Sequence, residues 1–188
     1  MKKSIAPGTW LFPLPAVMVS CQEEDKRPNI ITIAWCGVVA SEPPLVHIGV
    51  RPGRFSHGII MRSGEFVINI PNRNLLKATD YCGSVSGRKV DKFQAAGLTP
   101  GKAVVVKAPV IAECPVNLEC KVMGSLRLGT HTHILGEVVA VQVEPKILDS
   151  EGKPRIDKLA PFAFFPVANQ YYSMGKVIGR YGFSKKGK

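Results

Sequence analysis

From Pro15 to Cys21 the chain reads PAVMVSC, apolar with no polar face, and after the charged stretch QEEDKRPN a second apolar run follows, IITIAWCGVVA at 30–40. Short apolar runs bounded by turn residues predict strands, and two of them around a polar connection predict a hairpin with a long charged tip. The segment SEPPLVHIGV (41–50) predicts a third strand, whose approach is held extended by a diproline. EFVINIP (65–71), VNLECKVMGSLRL (116–128) and HILGEVVAVQVEP (133–145) alternate and predict three more, the last two joined by a hairpin turn at GTHT. FSHGIIMRSG (55–64) predicts a short helix with Ser56 near its start and Gly64 closing it. Residues 74–97 predict two more short helices, stopped at Gly97, whereas FAFFPVANQYYSMG (162–175) has no clear period and predicts no element.

Six antiparallel strands with short helices inserted predict a mainly β fold, an antiparallel six-stranded β-barrel, and not a doubly wound sheet. No GxGxxG follows the first strand, so the usual dinucleotide fingerprint is missing. A length of 188 residues and 45% hydrophobic content predict one domain, 1–188, able to bury a proper core.

Charge adds a bias toward anionic partners. Lys and Arg number 25 against 14 Asp and Glu, a net of +11. The cations are scattered, and the one cluster without apolar neighbours is the tail SKKGK (184–188), read as a solvated end. Aromatic residues are not interleaved with basic ones along strands, which argues against the competing reading, a basic β-barrel that binds nucleic acid. No run approaches the roughly 20 apolar residues of a membrane-spanning helix. The opening MKKSIAPGTWLFPLPAVMVSC superficially imitates a lipoprotein signal, but Pro7, Gly8, Pro13 and Pro15 would break its helical core. The five cysteines contain no CxxC and predict buried, reduced thiols in a cytoplasmic protein.

Four stretches carry candidate chemistry. In SVSGRKVDKF (84–93), Ser84, Ser86, Arg88 and Lys92 offer donors around Gly87, which lets a ligand approach the backbone. The same residues suit a phosphate cradle or a capped surface loop, and the stretch alone does not separate them. RPGRFSH (51–57) is a second donor-rich turn, with Arg51, Arg54 and Ser56. In NIITIAWCG (29–37), Asn29, Thr32 and Trp35 interrupt a strand otherwise made for burial, which suits either a flat aromatic ligand or an ordinary core. His131 and His133, two apart, share one face of a strand, but no further ligands stand near enough for a metal. No Ser-His-Asp order, HExxH, Walker loop or carboxylate pair stands out, so a cofactor would have to bring the reactivity.

Taken in order, these stretches resemble the flavin reductase-like family with the FMN-binding split-barrel fold, and within it the flavoredoxin branch. The resemblance runs over nearly the whole chain, through the Asn29–Gly37 strand, SEPPLVHIGVR, the Ser56-His57 turn, EFVINIP, DYCGSVSGR, VDKF and LGTHTHILGEV. It implies a homodimer with one non-covalent FMN per subunit, moving hydride or electrons to a small-molecule or protein redox partner. By position, it sets Asn29, Thr32, Ala34 and Trp35 beside the flavin ring and Arg51, Ser56 and His57 on its other side. Ser86, Gly87, Arg88 and Lys92 fall at the phosphate, and His131 and His133 on the nicotinamide or substrate side. Nicotinamide-using members often carry Gly-Asp-His where this chain has Gly129-Thr130-His131, a departure that favours an electron carrier over direct oxidation of NADH or NADPH. With the flavin carrying the chemistry, no catalytic side chain is expected, and the residues themselves predict no metal, no nucleic acid and no membrane.

Overall fold

The computed structural model describes residues 1–185, so residues 186–188 of the basic tail lie outside it. Strands β1 (Leu14–Pro15), β2 (Val17–Cys21), β3 (Asn29–Ile33), β4 (Cys36–Ala40) and β5 (Leu45–Val50) lead into α1 (Phe55–Ser63) and β6 (Glu65–Ile70). Helices α2 (Leu76–Ser84) and α3 (Lys92–Ala96) follow, then β7 (Pro100–Gly101), β8 (Val110–Ile111), β9 (Val116–Leu128) and β10 (His131–Val143). The chain continues through α4 (Ile156–Leu159), β11 (Phe162–Phe165) and β12 (Gln170–Ser173).

Seven strands form one antiparallel sheet in the order β3-β2-β6-β9-β10-β5-β4. Its two edges, β3 and β4, are consecutive in the chain and joined only by Ala34 and Trp35. A two-residue link cannot cross an open sheet, so the sheet has to curl until its edges meet. Six strands were expected and seven are found because the apolar run at 30–40 is not one strand. It bends at Ala34–Trp35, where Gly49 N–H donates to the Trp35 carbonyl at 2.6 Å. The aperiodic C-terminal stretch also forms structure: β11 and β12 pair with each other, and β11 pairs with β1.

All of β2 is buried, which explains its lack of a polar face. Val17, Val19 and Cys21 point into the barrel with Ile48, Phe66 and Ile134, whereas Met18 lies in a second cluster with Ile30, Cys82, Phe93 and Ile111. Removing such side chains from water contributes about 1.5–3 kcal/mol each. Helices α2 and α3 therefore cover one side of the barrel, with α2 packed along β3, while α1 sends Ile59 and Ile60 into the barrel cluster. Four of the five free cysteines are buried and Cys36 is half-buried.

The connection from β7 to β8 is held by a buried carboxylate. Glu119 accepts from the backbone N–H groups of Val104 (2.8 Å), Val105 (2.7 Å) and Val106 (3.1 Å) and from the Gln142 amide (2.9 Å). Burial alone would push its pKa up, but these donors outweigh burial and hold it below the usual glutamate value. No helix among the described residues is long and apolar enough to cross a membrane.

Candidate functional site

The bend at Ala34–Trp35 opens a cleft of about 460 Å³ between the barrel, α2 and the C-terminal hairpin. That volume lies within the roughly 300–1,000 Å³ of small-molecule sites. Thr32, Ala34 and Trp35 form its floor, with Gly49 and Arg51 at the end of β5 and His131 at the start of β10. Asp80, Gly83 and Ser84 of α2 face Phe164, Asn169 and Tyr171 of the hairpin and its turn.

Close packing sets this floor. A Cβ on Gly49 would lie 3.0 Å from Trp35 Cβ, so glycine lets the bend approach β5. The Trp35 indole stacks on the His131 imidazole, with centroids 5.8 Å apart and planes 9° from parallel. Burial lowers the His131 pKa, and Arg51 and His133 lower it further, which favours the uncharged ring. The Thr32 hydroxyl donates to the Thr79 carbonyl, and a Cβ on Gly83 would lie 3.1 Å from Thr32 Cβ. Thr32 thus joins β3 to α2, and its hydroxyl proton is committed there.

A smaller polar cavity of about 70 Å³ continues from the cleft, sharing Ile31, Arg54 and Gly83 in its walls. Asn29, Ser56, Ser86, Gly87 and Lys92 line it. Asn29 Nδ2 donates to Ser56 Oγ at 2.6 Å. Lys92 is buried, and its ammonium donates to the carbonyls of Ile30 (2.8 Å) and Cys82 (2.6 Å). Burial pulls the Lys92 pKa down; the nearby cysteines partly oppose this and Arg54 adds to it. An ammonium has three donors, so one remains beyond the two carbonyls. The cavity thus concentrates cations where few counter-charges stand, the condition under which an anion binds well.

The residues proposed from the sequence divide three ways. Thr32, Ala34, Trp35, Arg51 and His131 line the large cleft. Asn29, Ser56, Ser86, Gly87 and Lys92 line the small one, which moves Asn29 and Ser56 away from the ring positions the resemblance implied. His57, Arg88 and His133 line neither cavity. His57 Nε2 meets Thr132 Oγ1 at 3.1 Å. Arg88 is exposed, donates to the Gly53 carbonyl at 3.2 Å and lies 5.5 Å over the Phe55 ring, tying the two donor-rich loops together. His133 stacks on His47, with their Nδ1 atoms 3.2 Å apart. Lys92 also differs from expectation, since backbone carbonyls already hold its charge.

The cleft also holds residues to which the family resemblance gave no position beside the flavin. Arg54 stands in both cavities, and its signal was its place in the RPGRFSH turn. Asp80 and Phe164 come from a helix and an aperiodic segment where nothing in the pattern singles them out, whereas Tyr171, like Tyr172, suited in sequence either a cover over the flavin or ordinary aromatic packing. Tyr171 Oη donates to Asp80 Oδ1 at 3.1 Å, and burial together with Asp80 pushes its phenol up to about 12.

Residues 9–162 match the family described as Flavin reductase like domain. The chain is similar to a flavoredoxin of Desulfovibrio vulgaris (Miyazaki F), with 35% identity, a TM-score of 0.93, and 99% of this chain and 100% of that one covered. A flavoredoxin from Methanosarcina acetivorans is similar at 31% identity and a TM-score of 0.91, over 99% of this chain and 98% of that one. An uncharacterized protein of Archaeoglobus fulgidus is 34% identical over 148 residues, which is 79% of this chain and 81% of its own.

Proposed function

The chain belongs to the flavin reductase-like domain family, and on that premise we propose that it is an oxidoreductase or electron-transfer protein using non-covalent FMN. One observation carries this reading. A broad cleft with aromatic walls runs into a small cavity that holds Arg54, Lys92, Asn29 and Ser86. A ligand with a flat ring at one end and a phosphate at the other matches both halves, and the donors present suit a phosphate. When bound, FMN supplies hydride or electron transfer.

The side chains position and insulate. Arg54 and the free donor of Lys92 neutralise the anionic end, while Asn29 and Ser86 offer uncharged donors beside them. Trp35 and His131 form one flat wall, and Phe164 and Tyr171 form another that excludes water. The Thr130 hydroxyl engages His131 Nδ1 at 2.9 Å, which leaves Nε2 as the polar atom of a neutral ring. No side chain in the cleft is set up as a nucleophile.

Two chains would pair as a homodimer, for which the exposed Val38 and Val39 of β4 and the exposed Met123, Leu126 and Leu128 of β9 offer apolar side chains. NADH or NADPH is the electron donor in the reductase form of this reading; in the carrier form, a small molecule or a redox protein fills that place. Thr130 at the position of the frequent aspartate favours the carrier form.

The test is uptake. Flavin-free protein mixed with FMN turns yellow and retains flavin after gel filtration, and Arg54→Ala weakens FMN about tenfold or more while changing riboflavin far less. Protein that stays colourless, or an equal loss for both ligands, overturns the assignment. Stopped-flow mixing with NADH and with NADPH then separates reductase from carrier.

A further inference from the structure

The family match ends at Phe162, yet Phe164, Asn169 and Tyr171 line the cleft from beyond it. They belong to the small sheet β1-β11-β12 and not to the barrel. Its inner strand β11 is held to β1 by two register pairs, Leu14 with Phe164 and Pro15 with Ala163. The outer strand β12 pairs with β11 alone. Among the described hydrogen bonds, the one that ties a β12 side chain to the opposite wall is Tyr171 Oη to Asp80 Oδ1, at 3.1 Å.

The opposite wall is far better fixed. Helix α2 is bound to β3 by the Thr32 hydroxyl on the Thr79 carbonyl, to α3 by Lys92 on the Cys82 carbonyl, and by the tight fit of Gly83 against Thr32. The cleft therefore has one wall clamped by several contacts and one that rests on β1 and its own packing, with a single phenol tying it across to α2. The Tyr171 ring moves with its hairpin, being edge-on to Phe162 (5.8 Å, 85°) and tilted against Phe164 (5.1 Å).

We infer that Tyr171 is a positioning residue: anchored on Asp80, it sets the C-terminal hairpin as the specificity-determining wall of the cleft, against which a flat heteroaromatic ring is retained. The identity of that ring rests on the FMN reading; the anchoring does not. Loss of the anchor frees the hairpin to swing from α2, so the ring escapes faster while the phosphate contacts stay intact.

Tyr171→Phe keeps the aromatic body and deletes the hydroxyl, Asp80→Ala deletes the acceptor, and Asp80→Asn retains an acceptor oxygen. Hydrogen exchange on the flavin-free protein is the first readout. Backbone amides of residues 163–173 exchange faster in Tyr171→Phe and in Asp80→Ala, no faster in the double variant, and near the wild-type rate in Asp80→Asn, while β2 and β6 do not change. The second readout is FMN release after dilution, which accelerates about three- to tenfold in each single variant, without further gain in the double one. Unchanged exchange in both single variants overturns the anchor, and additive effects overturn the pairing. Faster exchange with unaltered FMN release overturns the wall's role in retention. Should wild-type protein take up no FMN, the functional reading fails and the exchange experiment alone decides the anchor.

Discussion

Asn29 and Gly87 approach so closely that a Cβ built on Gly87 would lie 1.9 Å from Asn29 Oδ1. No real Cβ tolerates that distance, so the glycine is required by a neighbouring side chain. Asn29 is in turn held by Ser56 at 2.6 Å, and Arg27 reaches the Gly87 carbonyl at 2.9 Å. Gly87→Ala therefore displaces either the amide or the loop. The expected result is FMN affinity reduced at least tenfold, with riboflavin less affected, read by fluorescence titration. Unchanged FMN affinity contradicts the placement of the anion beside Gly87.

Lys92 is more structural than its charge suggests. Lys92→Met fills a similar space but leaves the Ile30 and Cys82 carbonyls without their donor in a buried site. Unsatisfied groups of this kind cost about 1–3 kcal/mol each. Urea unfolding of the flavin-free variant should show a loss of about 2–4 kcal/mol. A loss near zero would mean that water replaces the ammonium there.

The two tryptophans offer an internal probe. Trp35 lines the cleft and Trp10 does not. Adding FMN should quench tryptophan emission in wild type and in Trp10→Phe, and barely alter what remains in Trp35→Phe. Quenching retained in Trp35→Phe would place the ring elsewhere.

Glu119 makes part of the stability pH-dependent. Its folded pKa lies below the unfolded value, so the stability it contributes is present above the unfolded glutamate pKa, about 4.3, and is lost as pH falls through the folded one. Glu119→Gln should be less stable than wild type at pH 7, with the difference shrinking as pH drops below about 4. Urea midpoints across that range check it, and a difference independent of pH rules out the carboxylate as its source.

The strands were legible because their apolar runs and alternations are long, and the expected barrel missed one strand only because a single apolar run conceals the bend at Ala34–Trp35. That bend depends on Gly49, which is far away in the chain. Asn29, Ser56, Ser86, Gly87 and Lys92 stood in donor-rich or polar stretches of the sequence, but which of them share a cavity depends on the curl of the sheet. Arg88 shows the limit: in sequence it has the same features as an anion ligand, whereas in space it staples one loop to another. Tyr171 and Asp80 were invisible as partners because 91 residues separate them and neither sits in a periodic pattern.

The buried thiols bear on durability. Burial pushes Cys21, Cys36 and Cys120 up to about 12 and Cys82 up to about 11, and raises Cys114 as well. Peroxide and alkylating agents attack the thiolate, which is scarce at such values. On the proposed redox reading the protein would meet oxidants of its own making, and its thiols are kept in the form that reacts with them least.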